Sequence, residues 1–370
     1  MKILAIETSC DDTCAAVLDN DRVLSSVVST QVEFHKKFGG VVPGIARDKH
    51  KEFIDPCIEK ALKQAKVTME KIDYIAVTYG PGLAIALEVG LKKAQALSLE
   101  YKKKLIPVNH LEGHALSPFL KDKNGKLYSK VKLNFPFISM IISGGHTELV
   151  LVSDFGKYEL IGQTLDDAAG EAFDKVARLL KLGYPGGPLI SKVAETGDRN
   201  KYLLPKPMLK SADFNFSFSG VKTACLVALR KIYAEKNINS NEKLILTQND
   251  PGYYDSKDMV FTKKEIADFA ASFEKTMVDI LVTKLLAATK KYGVKYVSIG
   301  GGVCANNYLR KTMREAFSKK GVIVSIPDKR FCTDNAGMIG IVGYYKGLRK
   351  EFSKDPSKVE RDPILNFKSG

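Results

Sequence analysis

His110 and His114 stand four positions apart in the segment NHLEGHALSPF. On a helix an i, i+4 pair puts both imidazoles on one face, a common metal-binding geometry. The chain has only five His, so two at this spacing carry information. The zincin protease motif needs Glu directly after the first His, where it serves as base. Here that position is Leu111, and the inverted motif fails because Gly113 precedes the second His. Neither protease pattern fits. A divalent ion needs at least one further ligand, which spacing does not identify. Two satisfied helix histidines are the plainer reading of the pair. A second chemical candidate lies at 296–310, where an apolar strand runs into GGGVCANNYLR. A strand, a glycine-rich turn and a helix start bring backbone N–H groups to a phosphate or nucleotide.

The elements that must position these groups are legible in outline. Residues 2–6 (KILAI) and 15–18 (AAVL) read as strands around the polar turn ETSCDDTC. The plan recurs about 135 residues later, where 137–142 (FISMII) leads through SGGHTE into an apolar run at 149–152. A weaker unit is 74–97, with YIAVT, YGPG and a helix-like stretch. Residues 165–182 carry Ala168, Phe173, Val176, Ala177 and Leu180 at helical spacing, with Asp166 and Asp167 expected to complement that helix's dipole. YPGGP at 184–188 ends it. Helices are also expected over 265–290 and 306–318. Strands alternating with helices argue for an α/β class, and the repeated unit for a duplicated domain. Residues 237–262 are polar and weakly patterned and read as a surface insertion. The tail from about 350 is charged, contains Pro356 and Pro363, and is expected to be loosely held.

The 370 residues are 45% apolar and 27% charged, which excludes a collagenous or largely disordered chain. The length suggests two domains. Basic residues number 57 against 42 acidic, a net +15. That excess favours a polyanionic partner such as nucleic acid. Lysine bias is the alternative, since only 10 of the basic residues are Arg. No run of about 18 uncharged apolar residues exists, so no transmembrane helix is expected. The N-terminus has no targeting pattern, and the six Cys are scattered, as in a reduced cytoplasmic protein.

Taken in order, the motifs resemble the TsaD family, the tRNA adenosine threonylcarbamoyltransferases once described as glycoprotein endopeptidases. The resembling segments are IETSCDDT (6–13), FGGVVP (38–43), GPGL (80–83), NHLEGH (109–114), ISGGHTELV (142–150), TLDDAAGEAFDKVARLL (164–180), YPGGP (184–188), FSFSGVKTA (216–224), GGVCANNYLR (301–310) and CTDNAGMI (332–339). The resemblance implies an actin-like (ASKHA, sugar-kinase-like) α/β fold of two related domains around a central cleft. It divides the chain into 1–108, onto which 335–370 packs back, and 109–334, which carries the insertion. It implies His110, His114 and Asp334 as catalytic metal ligands for one divalent ion, iron or zinc. Ile141, Ile142, Ser143, Gly144 and Gly145 match the family's phosphate- and carbonyl-side loop. Asp174 and Gly187 match positions that hold the nucleoside, and Asn306 another adenylate contact. Taken singly, Asp174 reads as a solvated helix residue, Gly187 as a helix breaker and Asp334 as a cap. Many members have Glu at Asp12 and Gly at Cys14, and the segment 44–49 also departs from the family pattern.

The reaction so implied moves threonylcarbamoyl from threonylcarbamoyl-adenylate (threonylcarbamoyl-AMP) to the exocyclic amine of the adenosine just 3′ of the anticodon, in tRNAs reading codons that begin with A. The donor is an activated mixed anhydride, and the aromatic amine is a poor nucleophile. Help is therefore needed at the electrophile, from the ion and from backbone N–H groups of Ser143, Gly144 and Gly145. His146 is a candidate phosphate contact or proton carrier, and Cys10 and Cys332 are expected to be dispensable. The partners implied are tRNA, a catalytically silent TsaB-like paralogue and a small TsaE-like ATPase. Lysines at 92–93, 102–104 and 121–132 are candidate RNA contacts. An actin-like small-molecule kinase and a non-catalytic partner subunit are the alternatives, and neither uses the histidine pair.

Overall fold

The structure, a computed structural model, describes residues 1–235 and 261–367. The first lobe contains β1 (Lys2–Glu7), β2 (Asp12–Asp19), β3 (Arg22–Thr30), α1 (Val32–His35), α2 (Pro43–Ala65), β4 (Tyr74–Gly80), α3 (Ala84–Glu100) and β5 (Lys104–Asn109), and α4 (His110–Leu116) follows between the two sheets. The second contains β6 (Phe137–Ile142), β7 (Thr147–Asp154), β8 (Lys157–Gln163), α5 (Ala169–Leu179), α6 (Gly186–Ala194), α7 (Ser219–Glu235), α8 (Lys263–Tyr292), β9 (Tyr296–Gly300), α9 (Asn307–Ser318) and β10 (Ile323–Ser325). The last helix is α10 (Ala336–Leu348).

The two sheets share one plan. The first has the order β3-β2-β1-β4-β5, and the second, read from the same side, β8-β7-β6-β9-β10. In each, the leading strand pairs antiparallel with the next strand on one side. On the other side it pairs parallel with a strand that follows intervening helices. The parallel strands read as nearly unbroken apolar runs because both faces are covered.

Three apolar clusters hold the molecule together. One packs α2 and α3 on the outer face of the first sheet. Another packs α5 to α9 on the second sheet. The third lies between the sheets and is built largely by α4 and α10, with Ile3 and Ala5 from the first sheet and Phe137, Ile141 and Val150 from the second. Helix α10 is apolar on almost every side, as a helix enclosed by two sheets must be. It follows the second sheet in sequence yet packs on β1, β2 and α4.

Several local expectations change. Asp166 and Asp167 precede α5 instead of starting it. Asp166 accepts hydrogen bonds from Phe218 N, at 2.7 Å, and Ser219 N, at 3.2 Å, and so caps α7, while Asp167 pairs with Lys175 at 2.7 Å. The tail is not loosely held as far as Phe367. Ser353 N donates to Leu105 O (2.9 Å), Asp362 N to Tyr79 O (2.7 Å), and Gly82 N to Pro363 O (3.2 Å). Leu365 and Phe367 are buried. Composition missed this because the tail is held by backbone groups and by two apolar side chains. The insertion expected at 237–262 lies outside the described residues, except for its last two positions, where Thr262 forms a capping box with Glu265 at the start of α8. Among the described residues no helix is long and apolar enough to cross a membrane.

Candidate metal centre

Asn109 ends β5 and caps α4, its side chain accepting from Leu111 N at 2.8 Å. His110 and His114 therefore project from one short, fully buried helix. Asp334 lies one residue before Asn335, whose side chain accepts from Met338 N at 2.9 Å and caps α10. Because α4 packs on α10, the carboxylate meets both imidazoles. Asp334 Oδ1 stands 3.2 Å from His114 Nε2 and 3.5 Å from His110 Nε2. The three side chains offer donor atoms that all lie within 4.8 Å of one another. Cys14, at a position that departs from the family pattern, directs its thiol to the carbonyl of Asp334 at 3.6 Å.

Glu7, which the sequence did not single out, stands against this cluster. It is fully buried at the end of β1. Its carboxylate accepts from Ser9 N and Thr78 Oγ1, both at 2.5 Å. It also accepts from His110 Nδ1, at 3.0 Å. A carboxylate on Nδ1 fixes the ring's orientation and tautomer and leaves Nε2 as the ligand atom, as in many metal sites. Both ring nitrogens of His114 are buried without a hydrogen-bond partner, even though Nε2 is close to Asp334. Two convergent imidazoles, one of them orphaned, and a carboxylate fit a divalent ion that takes nitrogen and oxygen ligands. The electrostatics agree. Burial would lower the pKa of His110, but the Glu7 and Asp334 carboxylates outweigh it and hold it at about 9. Burial likewise opposes ionisation of Asp334, yet the imidazoles hold it at about 2. The site is built to receive positive charge.

The loop at Ile141–Gly145 is joined to this centre by close backbone contacts. A Cβ on Gly300 would stand 2.5 Å from His114 O, and one on Gly301 (φ +91°) would stand 2.4 Å from Ile142 O. Glycines here let β9 and its turn lie against α4 and the end of β6. Ile141 and Ile142 are buried in their side chains, so only their backbone can serve a ligand. Ser143 N is already bonded to His146 O at 2.9 Å, which narrows the loop's exposed donors to Gly144 and Gly145. Burial, followed by His110 and His114, pushes His146 down to about 4, so it is a neutral imidazole near pH 7.

The residues expected on the nucleoside side, Asp174, Gly187 and Asn306, form a connected group. Asp174 is no solvated helix residue. It accepts from Gly186 N at 2.7 Å and anchors the start of α6, where Gly187 faces open space. Burial pushes its carboxyl up to about 6, against the N–H groups of Gly186 and Gly187. Asn306 caps α9 through Leu309 N at 2.8 Å. Its amide donates to Ser191 Oγ (2.6 Å) and Glu274 Oε1 (2.8 Å). Buried Glu274 also receives Ser191 Oγ at 2.8 Å and Arg199 Nη2 at 2.9 Å, and so links α6, α8 and α9. The only sequence signal for Glu274 is a lone acid on the apolar face of a helix. With its amide so committed, Asn306 positions its neighbours.

Two lobes repeating one strand order, with a metal-type centre where their shared helices meet, define a duplicated α/β protein of the actin-like class. Solved structures of HypF share this architecture. That from T. kodakarensis matches with a TM-score of 0.58 at 15% identity, over 95% of this chain and 48% of that one. A full-length HypF in a phosphate- and nucleotide-bound form matches at 0.54, over 93% and 55%. At such identity the likeness speaks for the fold alone. The chain belongs to the TsaD family, whose model, described as tRNA N6-adenosine threonylcarbamoyltransferase, matches residues 22–341. Curated proteins of that name include one from Thermosipho melanesiensis, 46% identical over 93% of this chain and 94% of its own, and one from Clostridioides difficile, 44% identical over 92% of each.

Proposed function

We propose that this chain performs the transfer for which its family is named, placing threonylcarbamoyl from threonylcarbamoyl-AMP on the exocyclic amine of the adenosine 3′ of the anticodon in tRNAs that read codons beginning with A. The observation that carries this reading is the convergence of His110, His114 and Asp334 in a chain so similar to proteins of that activity. Those three residues would hold one divalent ion, iron or zinc. When bound, such an ion supplies Lewis-acid polarisation of the donor's carbonyl. Glu7 keeps His110 turned towards it. Gly144 and Gly145 offer N–H groups to the donor's phosphate or to a developing oxyanion. Asp174 and the start of α6 take the nucleoside, with Asn306 and Glu274 positioning the adjoining turn. No thiol is needed as nucleophile, because adenylate is already a good leaving group. Burial, first among several causes, pushes the Cys10 thiol well above its ordinary value, so it is not the reactive thiolate. The silent paralogue, the small ATPase and a cytoplasmic location belong to this reading through the family. A kinase or a silent subunit leaves the His–His–Asp cluster without a task.

The test combines the purified chain with its partner proteins, threonylcarbamoyl-AMP and an unmodified tRNA transcript. His110→Ala and Asp334→Ala are expected to fold and to lose product. Full activity in the double His110→Ala, His114→Ala variant would overturn the metal role. Metal analysis of the purified chain gives a second readout, since a chain unable to take up zinc or iron contradicts the same claim.

A further inference from the structure

The segment 31–42 runs along the edge of the first lobe and is tied at several points. Gln31 N donates to Asp11 O at 3.1 Å, in the turn that follows Glu7. Gln31 Oε1 lies 3.2 Å from His35 Nε2, and Val42 N donates to His35 Nδ1 at 3.3 Å. From the other lobe, Arg178 Nη2 donates to Gly39 O at 2.8 Å. Arg178 sits on α5, the helix that also carries Asp174. The segment thus bridges the metal-proximal turn and the nucleoside side of the site.

Its outer surface is unusual. Phe34 is 39% exposed and Phe38 42%, two large apolar rings a few positions apart in water. Each has an ammonium over it. Lys49 Nζ, itself paired with Glu52 at 2.7 Å, stands 4.2 Å from the Phe34 centroid, and Lys37 Nζ stands 5.0 Å from that of Phe38. Lys37 has no acidic partner among the described residues, and Lys36 has only a distant one, Glu33, at 3.9 Å. Exposed rings interleaved with lysines are the pattern that binds single-stranded nucleic acid, through base stacking and phosphate pairing. Lysine is depleted at the cores of protein–protein interfaces, which argues against a protein partner here. Several lysines that the sequence singled out are committed locally. Lys92 pairs with Glu88, Lys93 with Asp55 and Lys121 with Asp21.

We propose that Phe34, Phe38, Lys36 and Lys37 form a docking surface for unpaired RNA nucleotides beside the adenosine that reacts. The inference rests on the tRNA-modifying reading above. Because the segment is pre-tied to both lobes, a flanking base stacks on a surface that is already ordered. The flanking phosphates meet Lys36 and Lys37.

The test titrates the full-length chain with a fluorescent unmodified tRNA transcript at two salt concentrations and measures transfer in the reconstituted system. The double Phe34→Ala, Phe38→Ala variant is expected to weaken tRNA binding and raise the KM for tRNA on the order of tenfold. The KM for threonylcarbamoyl-AMP stays unchanged. Phe38→Tyr keeps a ring face and should bind nearly as the wild type does. Lys36→Ala with Lys37→Ala should flatten the salt dependence by roughly 0.7 in log–log slope for each phosphate deprived of its ammonium. Unchanged tRNA affinity and KM in the double Phe variant, with its melting profile intact, would overturn the surface while leaving the transferase reading in place. Loss of binding to a partner protein with tRNA affinity intact would overturn it equally. A wild-type chain that neither binds nor modifies the transcript would bring down both readings.

Discussion

Glu7 and Glu148 show how burial and partnership decide what a carboxylate does. Glu7 is buried but receives three hydrogen bonds, and the positive side of His110 stabilises its charge. Glu7→Gln keeps the shape and removes the charge, so zinc or iron affinity should fall on the order of 10- to 100-fold. Calorimetric titration with the metal would measure this, with unfolding followed in parallel to separate affinity from stability. Glu148 is buried at 5% exposure, and its Oε2 has no partner. Burial alone pushes it up from 4.5 to about 7. The folded state therefore holds a proton that the unfolded chain has released between those values. Stability contributed by this group is full below 4.5 and is lost as pH rises through about 7. Glu148→Gln should remove that slope and stabilise the protein at pH 8 by up to ~3 kcal/mol, with little effect at pH 4.5. Denaturant melts at both pH values test it, and an unchanged slope would contradict the assignment.

At the level of the elements, close backbone approach and buried charge hold the loops in place. Gly300→Ala would drive a Cβ against the carbonyl of His114. The expected cost is about 1–3 kcal/mol of stability, with weakened metal uptake because α4 must shift. Glu274 tests the other side. Glu274→Ala strands Arg199 and frees Ser191 and Asn306, and should destabilise the chain by about 3–5 kcal/mol. Its KM for threonylcarbamoyl-AMP should rise more than kcat falls. Glu274→Gln keeps an acceptor for Ser191 and Asn306 and should restore most of the donor KM. Equal behaviour of the two variants would leave Glu274 with a purely structural role. Much of this level was legible beforehand. The strand–turn–strand units, the helices near 265–290 and 306–318, and the glycine turns all follow from local patterns. The capping partners did not, since Asp166 serves α7, a helix far along the chain, instead of α5 beside it.

Across the molecule, α10 and the tail bind the end of the chain to its beginning. Removing residues 351–367 would expose the backbone of Leu105 and Tyr79 and empty the places of Leu365 and Phe367. Such a truncation is expected to be insoluble or to melt well below the full chain, as thermal unfolding would show. The α/β class, the duplication, the paired imidazoles and the glycine-rich turns were all readable from the amino-acid order. Each is written in residues close together along the chain, where helix and strand periodicity act. The same order carried enough motifs to mark the family. The resemblance already pointed to Asp334, but packing alone brings it to the histidines and sets Glu7 against His110. Asp334 reaches both histidines because α10 packs on α4 in a core shared by both sheets, and Glu7, at the end of β1, reaches His110 alone, through Nδ1. No spacing encodes those meetings, because they arise from burying apolar faces of elements that lie far apart in the chain.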